Sequence, residues 1–389
     1  MTHPARNWPL VAKLGCSAAV LLVLLGALEL VLRARGYDPF GQMFAAAPRE
    51  SREGLDLGLM RIVEDEVRVY ELVPGAHGRA WDADIAVNDH GFRDRDYAPR
   101  KPPGSYRIVA LGDSATFGVK LPVDALWPKA LERSLAEGDR PVEVLNLGIV
   151  GYDVLEEVVL LEQRGLAFGP DLVVMAFHPN DIGHVSATRS YVHRLQSYGA
   201  WWYRIRLLQY VRAKLDEYQL GREFHLVNTD EYFEERNRGR IADLSGDPEL
   251  LGLMEQLRRR LEATPELAKL QHRYVAWYTS PMRVGKLRHA LERLKTTSEQ
   301  NGFEAIVFVV PWLGDRRFED VYDLIYAIVR HEVERAELEY VEMASHTRAA
   351  GHPGLVIERR DFGHPNAKGH RILAGELEKY LRTSGRVGE

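Results

Sequence analysis

Two blocks of the sequence bring together residue types that can perform nucleophilic chemistry. Gly112-Asp113-Ser114 supplies a hydroxyl, and Asp361-Phe362-Gly363-His364 supplies an imidazole with a carboxylate close to it in sequence. The two-residue spacing allows the Asp361 carboxylate to accept a hydrogen bond from one ring nitrogen of His364. The other nitrogen is then free to take a proton from a serine.

Two further blocks suit the stabilisation of a developing negative charge. Gly151 has no side chain, so its backbone N–H can approach a ligand closely, and the Asn180 amide can donate a second hydrogen bond to an oxyanion. Ordinary roles stay open for each block taken alone. Ser114 suits a helix N-cap, glycine and Asn-Asp pairs favour loops, and the Asp361 and His364 block suits the start of a helix.

The elements that must position these residues are predicted strands. Short apolar runs rich in β-branched residues occur at 106–111, 142–147, 171–177, 305–310 and 338–343. They lack clean alternation, as expected of strands covered on both faces. Helical stretches between several of them give the βαβ alternation of a parallel sheet. We therefore expect a three-layer α/β/α domain, with the candidate residues at the carboxyl edge of the sheet.

Together and in this order, the four blocks resemble the SGNH (GDSL-like) hydrolase superfamily over about residues 104–183 and 302–382. The resemblance implies a five-stranded parallel sheet of the flavodoxin-like type. It also implies a reaction that needs no metal or other cofactor. It implies Ser114 as nucleophile, His364 as general base and acid, and Asp361 as the orienting carboxylate. The implied oxyanion hole consists of the Ser114 and Gly151 backbone N–H groups with the Asn180 side chain.

One position departs from the pattern of that superfamily. The glycine usual two residues before the third-block asparagine is replaced by His178, with Pro179 between. A bulkier, titratable residue at this edge is expected to narrow the pocket, and a contact between His178 and substrate is one hypothesis. The segment Asn88-Asp89-His90-Gly91-Phe92-Arg93 is also similar to membrane-anchored bacterial members, some of them associated with cell-surface polysaccharides.

An apolar segment near the N-terminus predicts a membrane anchor. Between residues 10 and 32 the only charged residues are Lys13 and Glu29, and a helix of this length matches a hydrocarbon layer about 30 Å thick. An uncleaved anchor is favoured over a signal peptide, because Arg33-Ala34-Arg35-Gly36 is not a small-x-small cleavage site. A buried core helix is the remaining alternative. We expect the main domain outside the inner membrane of a bacterium, although basic residues on both sides leave the positive-inside rule undecided.

The chain divides into four predicted parts, with no internal repeat. They are an anchor at 1–35, a juxtamembrane segment at 36–103, a catalytic domain at 104–183 and 302–385, and a mainly helical insertion at 184–301. The juxtamembrane segment contains predicted strands at 67–73 and 84–87, which form either a small β-hairpin or two edge strands. The insertion is large enough for a cap, a lid or a surface for a protein partner. Its aromatic groups at 201–203 and 277–278 favour a packed helical core over stacking on sugars.

Composition excludes several classes of protein. The 389 residues include 51 Lys and Arg against 56 Asp and Glu, a formal net charge of −5. A general nucleic-acid binder would carry a basic footprint instead, so no nucleic-acid partner is expected. Cys16 is the only cysteine, which excludes a disulfide framework or a thiolate metal site within one chain.

These features predict a serine esterase or deacylase that acts on O-acyl groups of a small molecule or a glycan, with O-acetyl groups on a surface glycan favoured. An O-acetyltransferase with the same triad stays open, because a sugar hydroxyl can replace water at the acyl-enzyme. A membrane-anchored assembly or binding component without activity is the alternative from a different class.

Overall fold

The computed structural model of the chain describes residues 9–36, 59–63, 65–68, 70–80, 83–138, 140–183, 205–211, 214–215, 233–235, 237–264, 273–313, 316–351, 354–357 and 363–388. Asp361, His184 and most of 184–232 lie outside the described residues.

The predicted apolar segment is a single helix, α1, Leu10–Ala34. The span Ala12–Ala34 is long and apolar enough to cross a membrane, and none of its most apolar stretch is buried against the rest of the chain. Among the helix residues whose burial is described, only Leu32 is buried. This exposure contradicts the buried-core alternative. A signal sequence near the N-terminus would share the same length and composition. Glu29, near the end of the helix, pairs with Arg33 at 2.7 Å.

Two small antiparallel sheets precede the main domain. β1, Met60–Ile62, pairs with β2, Tyr70–Leu72, and β3, His77–Ala80, pairs with β4, Ala83–Ala86. The strands predicted at 67–73 and 84–87 are present in part as β2 and β4. They lie in different sheets, so they do not form a hairpin with each other.

A five-stranded parallel sheet forms the centre of the main domain. Its strands are β5, Tyr106–Gly112; β6, Val142–Asn146; β7, Leu172–Phe177; β8, Glu304–Val309; and β9, Glu339–Val341. Their spatial order is β6-β5-β7-β8-β9, and every neighbouring pair is parallel. This is the flavodoxin-like order, which places β5 between β6 and β7. The predicted sheet is confirmed.

The described helices that follow α1 complete the domain. They are α2, Ser114–Phe117; α3, Trp127–Leu135; α4, Val154–Gln163; α5, Pro248–Glu262; α6, Arg273–Trp277; α7, Pro281–Asn301; α8, Glu319–Arg335; α9, Ala344–Ala349; and α10, Ala367–Thr383. Single 3₁₀ turns lie at Val123–Ala125, Gly165–Phe168 and Arg316–Phe318.

Each face of the sheet is covered by helices, which confirms the three-layer arrangement. Alternate residues of a strand point to opposite faces, so Val174 of β7 belongs to one core and Val173 to the other. The first core also contains Trp127 of α3 and Leu377 of α10. The second contains apolar residues of α4, α7 and α8. Because both faces are buried, the strands show continuous apolar runs.

Helix α7 belongs to this helical layer, although its residues fall within the predicted insertion. Val284, Leu287 and Leu291 are fully buried in the core shared with the sheet. Arg288 on the same helix pairs with Glu332 of α8 at 2.8 Å and with Asp247, the N-cap of α5, at 2.6 Å. The described part of the insertion is therefore tied to the α/β domain by apolar packing and by ion pairs.

Candidate active site

Ser114 lies at the turn between β5 and α2, where the chain enters the short helix. The N-cap of α2 is Asp113, whose Oδ1 accepts a hydrogen bond from the Ala115 N–H at 2.8 Å. The N-cap role considered above for Ser114 therefore belongs to its neighbour, Asp113. Gly112 has a φ of 154°, and a Cβ there would lie 2.2 Å from Thr116 Oγ1. Only glycine fits this entry to the helix.

The structure brings Ser114 and His364 together from positions 250 residues apart. Ser114 Oγ lies 2.8 Å from His364 Nε2, within reach for direct proton transfer. The same Oγ lies 3.1 Å from Asp113 Oδ2. Sequence reasoning assigned no role to Asp113, although it stands within the first block. Its carboxylate both caps α2 and contacts the candidate nucleophile.

The loop that carries His364 is held by hydrogen bonds on both sides. The Ile357 N–H donates to the His364 carbonyl at 3.1 Å, and the Asn366 N–H donates to the Leu355 carbonyl at 2.6 Å. The Asn366 side chain caps α10 by accepting the backbone N–H groups of residues 368 and 369. Because Asp361 lies outside the described residues, its predicted contact with His364 stays a prediction.

Three hydrogen-bond donors lie after adjacent strands at this edge of the sheet. Ser114 follows β5, and Gly151 and Asn180 come after β6 and β7, the strands that flank it. Within the described part of the chain, no acceptor takes a hydrogen bond from the Ser114 N–H, the Gly151 N–H or Asn180 Nδ2. These donors are therefore available to a ligand, as an oxyanion hole requires.

The loop that carries Asn180 is a tight turn supported by the insertion. The Asp181 N–H donates to the His178 carbonyl at 2.8 Å, and the His178 N–H donates to Asp181 Oδ2 at 2.5 Å. The Tyr278 hydroxyl donates to the Pro179 carbonyl at 3.0 Å. Tyr278 and Trp277 are buried, which confirms packing rather than sugar stacking for this pair. The aromatic residues at 201–203 lie outside the described residues.

His178 is buried between the loops of Asn180 and His364, with 4% of its surface exposed. Its Nδ1 contacts Asn180 Oδ1, and its Nε2 lies 3.1 Å from the Gly363 carbonyl oxygen. Burial lowers the pKa of His178, and the neighbouring His364 lowers it further, while the Asp113 carboxylate opposes both effects. Since both ring nitrogens face protein oxygens, the ring does not present a free nitrogen for the substrate contact considered above.

A buried arginine from the juxtamembrane segment supports the nucleophile helix, and sequence reasoning missed this role. Arg93 is fully buried and donates to the carbonyls of Phe117 at 2.9 Å, Gly118 at 2.5 Å and Leu121 at 2.6 Å. The next residue, Asp94, accepts the Asn146 N–H at 2.8 Å. In the sequence, residues 88–93 stand out only by their resemblance to membrane-anchored members of the superfamily. No local pattern predicts that Arg93 is buried.

Two buried acids lie behind the site. Burial raises the pKa values of Glu157 and Asp181 well above their ordinary ranges, and the Asp113 charge raises both further. Neither carboxylate oxygen of Glu157, and only one of Asp181, has a hydrogen-bond partner in the described part of the chain. Burial therefore favours the neutral form of both acids.

Two groups of side chains have the composition of a metal site. Asp113, His178 and Asp181 bring one ligand-type atom each within 4.8 Å of one another, and so do Asp247, His331 and Glu332. In the first group the His178 nitrogens face oxygens of other residues, and Asp113 accepts from Ser114 and Ala115. In the second group the carboxylates pair with Arg288. These contacts account for both clusters, and we assign no metal to either.

The fold and the site define a class of protein: a parallel α/β sheet whose carboxyl edge holds a serine in contact with a histidine, beside hydrogen-bond donors that no described residue engages. This is the arrangement of serine hydrolases. The chain belongs to the GDSL-like Lipase/Acylhydrolase family, which matches residues 110–372.

Individual relatives are more distant. An arylesterase of Vibrio mimicus is 32% identical over 77 residues, which are 20% of this chain and 38% of the relative. The match thus spans little more than a third of that curated relative. Among solved structures, a lipase/acylhydrolase from Enterococcus faecalis is 14% identical with a TM-score of 0.40, covering 72% of this chain and 97% of its own. A catalytic mutant of an acetylxylan esterase from Geobacillus stearothermophilus is 12% identical with a TM-score of 0.39, covering 71% and 94%.

Proposed function

We propose that the protein is a serine esterase that removes O-acyl groups through a covalent acyl-enzyme. The observation that carries this proposal is the 2.8 Å contact between Ser114 Oγ and His364 Nε2. It lies at the sheet edge where three hydrogen-bond donors have no acceptor among the described residues. Family membership and the arylesterase name of the Vibrio mimicus relative support ester hydrolysis.

The mechanism follows from these positions. His364 Nε2 takes the proton of Ser114 as Oγ attacks the ester carbonyl carbon, and the carbonyl electron pair moves onto oxygen. The Ser114 N–H, the Gly151 N–H and Asn180 Nδ2 donate to that oxyanion. When the intermediate collapses, the alcohol leaves with the proton from His364. Water then attacks the acyl-serine with His364 as base, which releases the acid and restores Ser114. Asp361 is the proposed orienting carboxylate.

We infer that the physiological substrate is an O-acetyl ester on a cell-surface polysaccharide. The similarity of residues 88–93 to membrane-anchored members of the superfamily supports a surface substrate. The exposed apolar helix α1 supports attachment to the bacterial inner membrane, with the catalytic domain on the outer side.

The described helices α5 and α6 belong to the region proposed to receive a protein partner.

The test is covalent labelling of the full-length protein by an alkyl fluorophosphonate, with the modified residue identified by mass spectrometry. We expect label on Ser114 and its loss in Ser114→Ala and His364→Ala. Ser134→Ala is the matched control, because the Ser134 hydroxyl only donates to the Leu131 carbonyl within α3. Hydrolysis of p-nitrophenyl acetate should follow the same pattern.

Two results would overturn the proposal. Label that persists in Ser114→Ala, or never reaches Ser114 with probes of several sizes, removes the nucleophile. Acetylation of an added glycan acceptor with negligible hydrolysis in its absence would identify an O-acetyltransferase instead.

A further inference from the structure

His178 occupies the position where the superfamily usually has glycine, and its ring contacts both loops that carry proposed catalytic groups. One ring nitrogen faces the side chain of Asn180, and the other faces the carbonyl of Gly363, the residue before His364. The turn around residue 178 does not depend on this ring, because it is closed by backbone groups and by Asp181. The imidazole is therefore not needed to close the turn.

The contact with Asn180 determines which end of the amide is available. An amide oxygen can only accept, so the His178 Nδ1 that contacts Asn180 Oδ1 must carry a proton. Since Oδ1 is turned towards the ring, Nδ2 lies on the other side of the amide group, and no described residue accepts from it. A reversed amide would present a lone pair to the oxyanion and would oppose catalysis.

The same ring also packs against the loop of His364. With the proton on Nδ1, Nε2 of the neutral ring carries none, so its contact with the Gly363 carbonyl is packing and not a hydrogen bond. The Gly363 carbonyl lies 3.1 Å from Nε2, and a Cβ on Gly363 would come within 3.0 Å of the imidazole. The ring planes of His178 and His364 are nearly parallel, at 8°, with centroids 6.4 Å apart. The absence of a side chain at Gly363 thus allows His178 to lie directly against the loop.

We propose that His178 is a positioning residue, which orients the Asn180 amide so that Nδ2 faces the oxyanion and which braces the loop of His364. The inference rests on the proposed function, since an oriented oxyanion donor matters only if Ser114 attacks an ester. His178 touches no reacting atom, so its effect is expected in kcat rather than in KM.

Three substitutions separate the two contacts. His178→Asn keeps an N–H near the position of Nδ1, His178→Gln reaches towards the position of Nε2, and His178→Phe keeps a ring without either nitrogen. We expect His178→Phe to lower kcat by about tenfold to 100-fold, up to the loss of one oxyanion donor, with KM changed less than about twofold. His178→Asn should recover most of the loss, and His178→Gln should recover less.

A double-mutant cycle distinguishes positioning from general destabilisation. In an Asn180→Ala background, His178→Phe should lower kcat by less than about twofold further, because the amide it orients is gone. His370→Phe is the matched control: His370 is also a buried histidine, and its Nδ1 accepts the Trp127 N–H at 3.0 Å. Its effect and that of Asn180→Ala should multiply. Multiplying effects for His178→Phe and Asn180→Ala would overturn the inference.

A measurement independent of turnover separates this inference from the proposed function. Crystal structures of the wild-type protein and of His178→Phe, soaked with diethyl phosphate as an oxyanion mimic, report the placement of the Asn180 side chain. A reoriented or disordered amide in the variant supports the inference even if no ester is hydrolysed. An Asn180 side chain placed alike in both structures overturns it, whatever the enzyme's activity.

Discussion

At the scale of single residues, the site is organised around one hydroxyl group. Ser114 Oγ faces both His364 Nε2 at 2.8 Å and Asp113 Oδ2 at 3.1 Å. A hydroxyl has one proton, so these two acceptors compete for it in the free protein. In the proposed mechanism the proton moves to His364. The Asp113 carboxylate is held in place by its capping bond to Ala115.

The Asn180 side chain provides the most direct test of the oxyanion hole. Asn180→Ala removes the proposed amide donor, so kcat should fall by about 100-fold or more while the fold is retained. Steady-state kinetics on p-nitrophenyl acetate, with thermal unfolding as the control for folding, measures both. A kcat within about threefold of wild type would show that Asn180 does not contact the oxyanion.

The buried Glu157 makes a second residue-scale prediction, which concerns stability against pH. Burial raises its pKa in the folded protein well above the ordinary 4.5, so the folded state binds more protons than the unfolded state above about that pH. Its contribution to stability is present at low pH and is lost as the pH rises towards the folded pKa, by at most about 1.4 kcal/mol per pH unit. The free energy of unfolding of Glu157→Gln should therefore equal that of wild type near pH 4.5 and be higher than that of wild type at pH 8.

Urea unfolding at several pH values measures this difference. Glu162→Gln is the matched control on the same helix, because Glu162 is part-exposed and ion-paired with Arg293 at 2.5 Å. That substitution should not stabilise the protein at pH 8. If the free energies of unfolding of Glu157→Gln and wild type change with pH in the same way, the raised pKa of the buried Glu157 would be contradicted.

At the scale of elements, the order of strands assembles the site. Because β5 lies between β6 and β7 and all three are parallel, their carboxyl ends meet at one edge. Ser114, Gly151 and Asn180 follow these three ends. His364 reaches the same edge from the loop before α10. Backbone hydrogen bonds to residues 355 and 357 hold this loop in position.

The juxtamembrane segment is an element of the site as well as a connection to α1. Arg93 donates to three carbonyls at and beyond the end of α2, and burial lowers its pKa to about 10. It supports from behind the helix that begins with Ser114. The segment 88–94 is therefore expected to be required for the catalytic domain to fold.

Arg93→Met tests that requirement. The change removes the guanidinium that donates to four carbonyls, including that of Asp84. It should lower the free energy of unfolding by about 3 kcal/mol or more. Arg95→Met is the matched control: Arg95 is largely exposed and pairs with Glu132 at 3.0 Å, so its loss should cost less than about 1 kcal/mol. Denaturant unfolding measures both. Equal effects of the two substitutions would contradict the supporting role of Arg93.

At the scale of the whole molecule, the chain combines an exposed apolar helix with a folded α/β domain. Apart from Leu32, the apolar side chains whose burial is described in α1 are not buried against the described domain. A bilayer provides an apolar environment for such side chains, and a helix of this length spans it. This combination suits an enzyme held close to a surface substrate.

Membrane attachment is tested by fractionation. We expect the full-length protein to stay in the membrane pellet after alkaline carbonate extraction, and a chain that begins at residue 37 to move to the supernatant. Mass spectrometry of the mature protein should recover peptides from 10–34. A mature protein that lacks these residues would identify a cleaved signal sequence instead of an anchor.

The amino-acid sequence predicted the sheet, its helical layers and the residue types of the site. Apolar runs and βαβ alternation are local patterns, and parallel topology places the ends of adjacent strands at one edge. The contacts that orient the site were visible in the folded chain but not in its sequence. His178 meets Gly363 across 185 positions, and Arg93 supports the end of α2 from a segment with no local signal of burial. Such contacts depend on how elements pack, and residue types along the chain do not specify that packing.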